Sequence, residues 1–402
     1  MDLFDKFKPL AAAYADLTHG GRDPFGVAFD RILSPTVGMI GDREVILAGT
    51  NNYLGLTFEP EVIAAAQEGA ARYGTGTTGS RIANGTYGPH RALEAEMAAH
   101  FGMAGAIVFT TGYQANLAAV AGLAGPGDQV FIDADCHASI YDACKLSGAE
   151  IIRFAHNDPK SLDRRLGRTD PNASNKLVIV EGLYSMFGDI APIAEFVAVK
   201  NKHNAYLMVD EAHSFCTFGA RGLGVSEADG VLDKVDFIVG TFSKSLAGIG
   251  GFAVSNHPQF NLLRLAARAY MFTASSSAAS VEATRAALKL IQARPALKDK
   301  VWVNARRLHK GLTDAGFALF APASPVVAAD MGDPAKAAVF WNALLSAGVY
   351  VNLAMPPGTP NSKSLLRCSV SAAHTPEQID RVVASFIAVD RAIKANTLAA
   401  VG

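Results

Sequence analysis

The chain has 402 residues, 50% of them hydrophobic and 18% charged, and 36 basic against 37 acidic residues leave a formal net charge of −1. That length exceeds one small domain, and the balanced charge argues against nucleic acid as the main partner, because phosphate binding calls for a basic surface. Cys136, Cys144, Cys216 and Cys368 form no CxxC and no zinc-like cluster. Reduced thiols, a cytoplasmic protein and no metal site are therefore expected. Met1-Asp-Leu-Phe-Asp-Lys6 lacks an apolar signal core, and no stretch reaches the roughly 18–20 apolar residues of a spanning helix. No integral membrane segment is expected, and peripheral contact with a membrane surface stays open.

In chain order, residues 1–50 read as an N-terminal arm and a small strand pair, Val37–Ile40 and Glu44–Leu47, joined by a turn at Gly41-Asp42. From 51 to 290, β-type runs alternate with helical patterns. The runs are Ala106–Phe109, Gln129–Ile132, Glu150–Phe154, Leu177–Val180, Tyr206–Val209 and Phe237–Val239. Between them, Leu93, Met97 and Phe101 fall at helical spacing. Such alternation predicts an α/β fold with a mostly parallel central sheet and helices on both faces. Gly248-Ile-Gly-Gly251 reads as a flexible turn. Residues 291–402 form a smaller α+β domain: a helix over about 296–315, strands at Pro325–Ala328, Val349–Asn352 and Leu365–Ser369, and a last helix opened by Thr375, Pro376 and Gln378 as a capping box.

Ligands on parallel sheets bind at the carboxyl ends of strands, and there the reactive side chains fall. Asp210-Glu-Ala-His213 follows one strand, and Thr241-Phe-Ser-Lys244 follows another. A carboxylate that holds a proton on a pyridine nitrogen and an amine that forms an imine are what a pyridoxal phosphate (PLP) enzyme needs. Gly112-Tyr113, at a strand-to-helix turn, offers backbone N–H groups to a phosphate. His137 either stacks on a flat ring or caps the helix after it. His213 reaches the ring's phenolic oxygen or fills a buried loop, while Glu211 reads as structural. Thr241 and Ser243 offer hydroxyls to the phosphate. Arg367 suits an amino-acid carboxylate, although a strand arginine is more often a surface residue. The Gly/Thr-rich loop Tyr73–Arg81 lacks the Gly-Lys-Thr of a nucleotide loop and reads as a turn.

These residues sit among segments spread over nearly the whole chain: Asn51–Gly55, Gly74–Arg81, Thr111–Asn116, Asp135–Tyr141, Glu181–Met186, Gly188–Pro192, Asp210–His213, Gly240–Ser245 and Leu365–Ser369. In order and spacing the chain closely resembles the α-oxoamine synthase family of fold-type I PLP enzymes. Phe242, Ser245 and Tyr270–Ser275 look more like its serine-using, long-chain acyl branch than its glycine- or alanine-using branches. The resemblance implies that Lys244 holds PLP and moves the Cα proton, Asp210 pairs with the pyridine nitrogen, His137 stacks on the ring, and His213 contacts its phenolic oxygen. It implies further that Gly112, Tyr113, Thr241 and Ser243 line the phosphate, that Thr273 reaches it from the partner of a homodimer, and that Asn52 and Arg367 bind substrate carboxylate. The implied substrates are L-serine and an acyl-CoA or acyl carrier protein thioester, and the implied product is 3-ketodihydrosphingosine. A glycine- or alanine-using synthase, another acyl donor, and a PLP lyase or aldolase are the alternatives; Lys244 argues against a non-catalytic subunit. Three segments depart from the branch pattern: Met355-Pro-Pro357 in place of Arg-Pro-Pro, Phe215-Cys216 in place of Met-Gly, and Ser276-Ser-Ala278 in place of Leu-Pro-Pro.

Overall fold

The computed structural model describes residues 2–18, 22–169, 175–356, 358–395 and 397. These divide into two compact units. One contains 51–185 and 189–299, the other 1–50, 186–188 and 300–402.

The larger unit is built on seven strands: β4 (Gly105–Phe109), β5 (Gln129–Asp133), β6 (Glu150–Phe154), β7 (Lys176–Glu181), β8 (Tyr206–Asp210), β9 (Phe237–Thr241) and β10 (Gly251–Ser255), in the order β4-β10-β9-β8-β7-β5-β6. Strands β6, β5, β7, β8 and β9 run parallel. The apolar runs of β5, β7, β8 and β9 are buried almost throughout, which is why they read as continuous rather than alternating, while the edge strand β6 is largely exposed. Each β-type run expected in this region is a strand. The β10 strand was not expected, since Gly248–Gly251 reads as a flexible turn; the last of those glycines begins β10, antiparallel to both β4 and β9. A Cβ on Gly251 would lie 2.5 Å from Thr111 O, so glycine there permits a close backbone approach rather than mobility.

Helices α4 (Gly112–Leu123), α5 (Ala138–Ser147), α6 (Pro159–Leu166) and α7 (Ile193–Lys202) connect β4 to β8; the first three begin just past a strand's carboxyl end, and a longer loop after β7 precedes α7. Thr111, His137 and Asp158 cap α4, α5 and α6 through their side chains. Those caps fix where each helix starts, and so where each strand-end loop points.

In the second unit, β2 (Val37–Ile40) and β3 (Arg43–Leu47) form the expected antiparallel pair, extended by β1 (Arg31–Ser34). The run expected at Val349–Asn352 splits. Val349–Tyr350 pairs parallel with β3, whereas Asn352–Ala354 pairs with Leu365–Ser369, the central strand of a three-stranded antiparallel sheet completed by Val326–Asp330. The Thr375 capping box opens the helix Pro376–Lys394. Among the described residues, no helix is long and apolar enough to cross a membrane.

Candidate active site

Three strand ends meet at the carboxyl edge of the large sheet. Asp210, the last residue of β8, stands in register with Glu181 at the end of β7 and is nearly buried. Its Oδ2 accepts a hydrogen bond from Asn116 Nδ2 at 2.8 Å, and its Oδ1 accepts the Ala212 N–H at 2.9 Å. Asn116 Nδ2 also donates to Ser139 Oγ at 3.0 Å, and Ser139 Oγ lies 2.8 Å from His137 Nδ1. A continuous hydrogen-bonded path therefore joins Asp210 to His137. His137 as a residue is exposed, while its Nδ1 contacts are partly buried. It caps α5 through Nδ1, as one of the two sequence readings had it.

Glu181 accepts the His137 N–H at 2.5 Å. Burial, reinforced by the negative charge of Asp210, pushes its carboxyl well above the usual range. On the other side, His213 Nδ1 lies 2.8 Å from Tyr53 Oη, and both side chains are buried. Glu211 points elsewhere: it accepts the Val225 and Ser226 N–H groups at 2.9 and 2.8 Å. It is structural, as its sequence context suggested.

Gly112 opens α4, whose first turn closes with Ala115 N–H on Thr111 O. The N–H groups of Gly112 and Tyr113 thus lie ahead of the helical ladder, where an anion is favoured. A Cβ on Gly112 would meet Thr241 Cβ at 2.8 Å and Thr241 Oγ1 at 3.0 Å. Thr241 Oγ1 in turn lies 2.9 Å from Ser243 Oγ. Tyr113 turns outward and bonds Asp142. Lys244, half-buried, shares an open cleft of about 440 Å³ with Asn52, Thr57, Ser243 and Ile249. Asn52 Nδ2 donates to Thr57 Oγ1 at 2.8 Å, whereas its buried Oδ1 has no hydrogen-bond partner among the described residues.

Thr273 Oγ1 accepts from Gln114 Nε2 at 3.1 Å within the same chain. The Gly/Thr-rich loop holds that segment: Thr77 Oγ1 donates to Ser275 O, and Ser275 N–H donates to Gly79 O. Arg367 belongs to the other unit, buried on the central strand of the small sheet, with Nη1 donating to Ser369 Oγ at 2.8 Å. Met355 is half-buried in that unit, and Pro357 lies outside the described residues. Of the other departures, Phe215 stacks on Phe101 in the core, while Cys216 takes a left-handed backbone with φ of 67° where the branch pattern has Gly. Ser276 O accepts from His90, and Ser277 caps the helix Ala278–Ala293.

Sequence reasoning missed Asn116, Ser139, Tyr53 and Glu181. All four stand inside quoted motifs, but none has a side chain whose chemistry alone marks it.

Residues 43–386 match the family described as Aminotransferase class I and II. The chain belongs to that family. Within it, the chain is 53% identical over 386 residues to a serine palmitoyltransferase of Caulobacter vibrioides, covering 96% of each. It is 48% identical over 395 residues to a serine palmitoyltransferase of Sphingomonas paucimobilis, covering 98% of this chain and 94% of that one. A structure of a serine palmitoyltransferase variant from S. paucimobilis with bound PLP–myriocin superposes with a TM-score of 0.96 at 47% identity, over 98% of this chain and all of that one. These matches bear out the α-oxoamine synthase reading and the fold-type I architecture, and PLP is the cofactor. The residues present fit it: a glycine cradle that a Cβ would fill, a carboxylate fixed by two donors, a half-buried amine and an orphaned amide oxygen in one cleft.

Proposed function

We propose that the chain condenses L-serine with a long-chain acyl thioester, CoA-linked or carried by an acyl carrier protein, to give 3-ketodihydrosphingosine. The reading rests above all on identity to serine palmitoyltransferases along nearly the whole chain. When bound, PLP supplies an electron sink for bond cleavage at the amino acid's Cα.

The chain's own residues do the rest. Lys244 would hold the cofactor through its amine, then take the Cα proton of serine on Nζ and later return one. Asp210 would keep a proton on the ring nitrogen, with Asn116 and the Ala212 N–H aiming its two oxygens. His137, oriented by Ser139, would cover one ring face, and Tyr53 would aim His213 at the phenolic oxygen. Gly112, Tyr113, Thr241 and Ser243 would hold the phosphate, with Thr273 of a partner copy closing it in a homodimer. Asn52 and Arg367 would bind the carboxylate of the amino acid. Cα forms a bond to the acyl carbon, the thiol leaves, and the serine carboxylate departs as CO₂. We assign the cofactor to a domain over 51–290, with a smaller C-terminal domain over 291–402 and an N-terminal arm before them. The protein would work in the cytoplasm, meeting a membrane surface only peripherally.

Holoenzyme incubated with carboxyl-labelled serine and palmitoyl-CoA tests this. CO₂ and free thiol should appear one for one. Turnover of glycine or alanine with no turnover of serine would contradict the substrate assignment.

A further inference from the structure

One cluster of titratable groups at the same sheet edge takes no part in the chemistry above. Asp133 ends β5 with its side chain fully buried. Its carboxylate accepts from His156 Nδ1 at 2.8 Å, from the Asp135 N–H at 2.9 Å and from the Asn157 N–H at 2.8 Å. His156 Nε2 reaches Asp189 Oδ2 at 2.8 Å, and Asn157 Nδ2 donates to the same oxygen at 2.6 Å. Asp135 stands 3.9 Å from His156 Nδ1, and the Tyr184 ring meets the imidazole edge-on with centroids 4.5 Å apart. The remaining charged neighbour, Arg153, donates to Ala134 O at 3.3 Å. A ring with a carboxylate at each nitrogen donates to both only as an imidazolium.

Three segments meet at this ring: Asp133 and Asp135 at the end of β5, His156 and Asn157 after β6, and Tyr184 and Asp189 after β7. The first carries His137, whose own N–H is tied to Glu181. We propose that His156, clamped between Asp133 and Asp189, is a positioning residue for the cofactor, fixing the loop that presents His137 to the ring. The inference rests on the PLP reading.

Without a cation at 156, Asp133, Asp135 and Asp189 would face one another at a largely buried site, and the loop would open to let water in. Burial alone pushes His156 down, but its hydrogen bonds to Asp133 and Asp189 outweigh that and carry it up to about 10. The folded pKa is raised, so the clamp is fully formed below the ordinary histidine value of 6.5 and is lost as pH rises through about 10.

The test compares wild-type holoenzyme with His156→Gln and His156→Lys, reading visible circular dichroism of the bound cofactor, kcat, KM for serine, and the ¹⁵N resonances of His156. In the wild type at pH 8 both ring nitrogens should carry protons. The Gln variant should show an altered visible band and a kcat lower by about tenfold to a hundredfold, with KM little changed. The Lys variant, which keeps a cation between the carboxylates, should regain much of both. A Gln variant that binds PLP with wild-type dichroism and kcat overturns the proposal, whatever its melting temperature. So does a wild-type ring that is neutral at pH 8, or a folded Lys variant with no recovery. A wild type that takes up no PLP overturns the cofactor reading itself, and this proposal with it.

Discussion

An amide in the middle of a helix rarely decides a reaction, yet Asn116 is the donor that links Asp210 to the His137 side of the site. Hydrogen bonds to a charged group contribute about 1.5–3 kcal/mol, so Asn116→Ala should lower kcat/KM for serine by roughly tenfold to a hundredfold. Steady-state kinetics at saturating PLP check this; an unchanged kcat/KM would remove Asn116 from the site. Tyr53→Phe loses a neutral bond of about 1 kcal/mol to His213, and a drop of roughly fivefold is expected in the same assay. At this scale the sequence reveals residues whose type carries chemistry. Lys244, Asp210 and the two histidines announce themselves. Asn116, Ser139 and Tyr53 act by geometry, and only the fold brings them to the groups they hold. Glu181 was hidden for another reason: its raised pKa follows from burial beside Asp210, which a one-dimensional reading does not supply.

Elements were more legible than contacts. Strands β5, β7, β8 and β9 are apolar runs because parallel strands inside a sheet covered on both faces are buried on both faces, whereas β6, at the sheet edge, is largely exposed. The Thr375 box spelled out its helix start, and its two reciprocal bonds are present. Thr375→Ala should cost about 1 kcal/mol, read as a lower urea midpoint with an unchanged slope. Strand β10 escaped because its glycine-rich start mimics a loop, and the split at Val351 escaped because two sheets share one short run. The junction of β9 and α4 carries a sharper expectation. Gly112→Ala places a methyl 2.8 Å from Thr241 Cβ, where the proposed phosphate cradle closes. Affinity for PLP should fall at least about tenfold, the order expected from one overpacked contact. Titrating apoprotein with PLP by absorbance measures it; wild-type affinity would relocate the phosphate.

For the molecule as a whole, acid stability has an identifiable contributor in the smaller of the two units. His374 is buried against Ser371, and desolvation holds its ring down at about 4. The folded pKa is depressed, so the unfolded chain takes up a proton below 6.5 that the folded chain refuses until about 4. Stability of about 3 kcal/mol, fully present above 6.5, should be lost as pH falls across that interval. Urea midpoints at pH 7.5 and 4.5 should converge in His374→Asn relative to wild type.

The central claim is that Lys244 carries PLP in a site that accepts serine, and a visible-absorbance titration tests it most directly. Wild-type holoenzyme should show a band that serine shifts saturably and that glycine and alanine shift less. Lys244→Ala should lack the protein-linked band after PLP is added and dialysed, and should release no CO₂ from serine. A Lys244→Ala protein that keeps the wild-type band, or a wild type that answers glycine and ignores serine, would contradict the account.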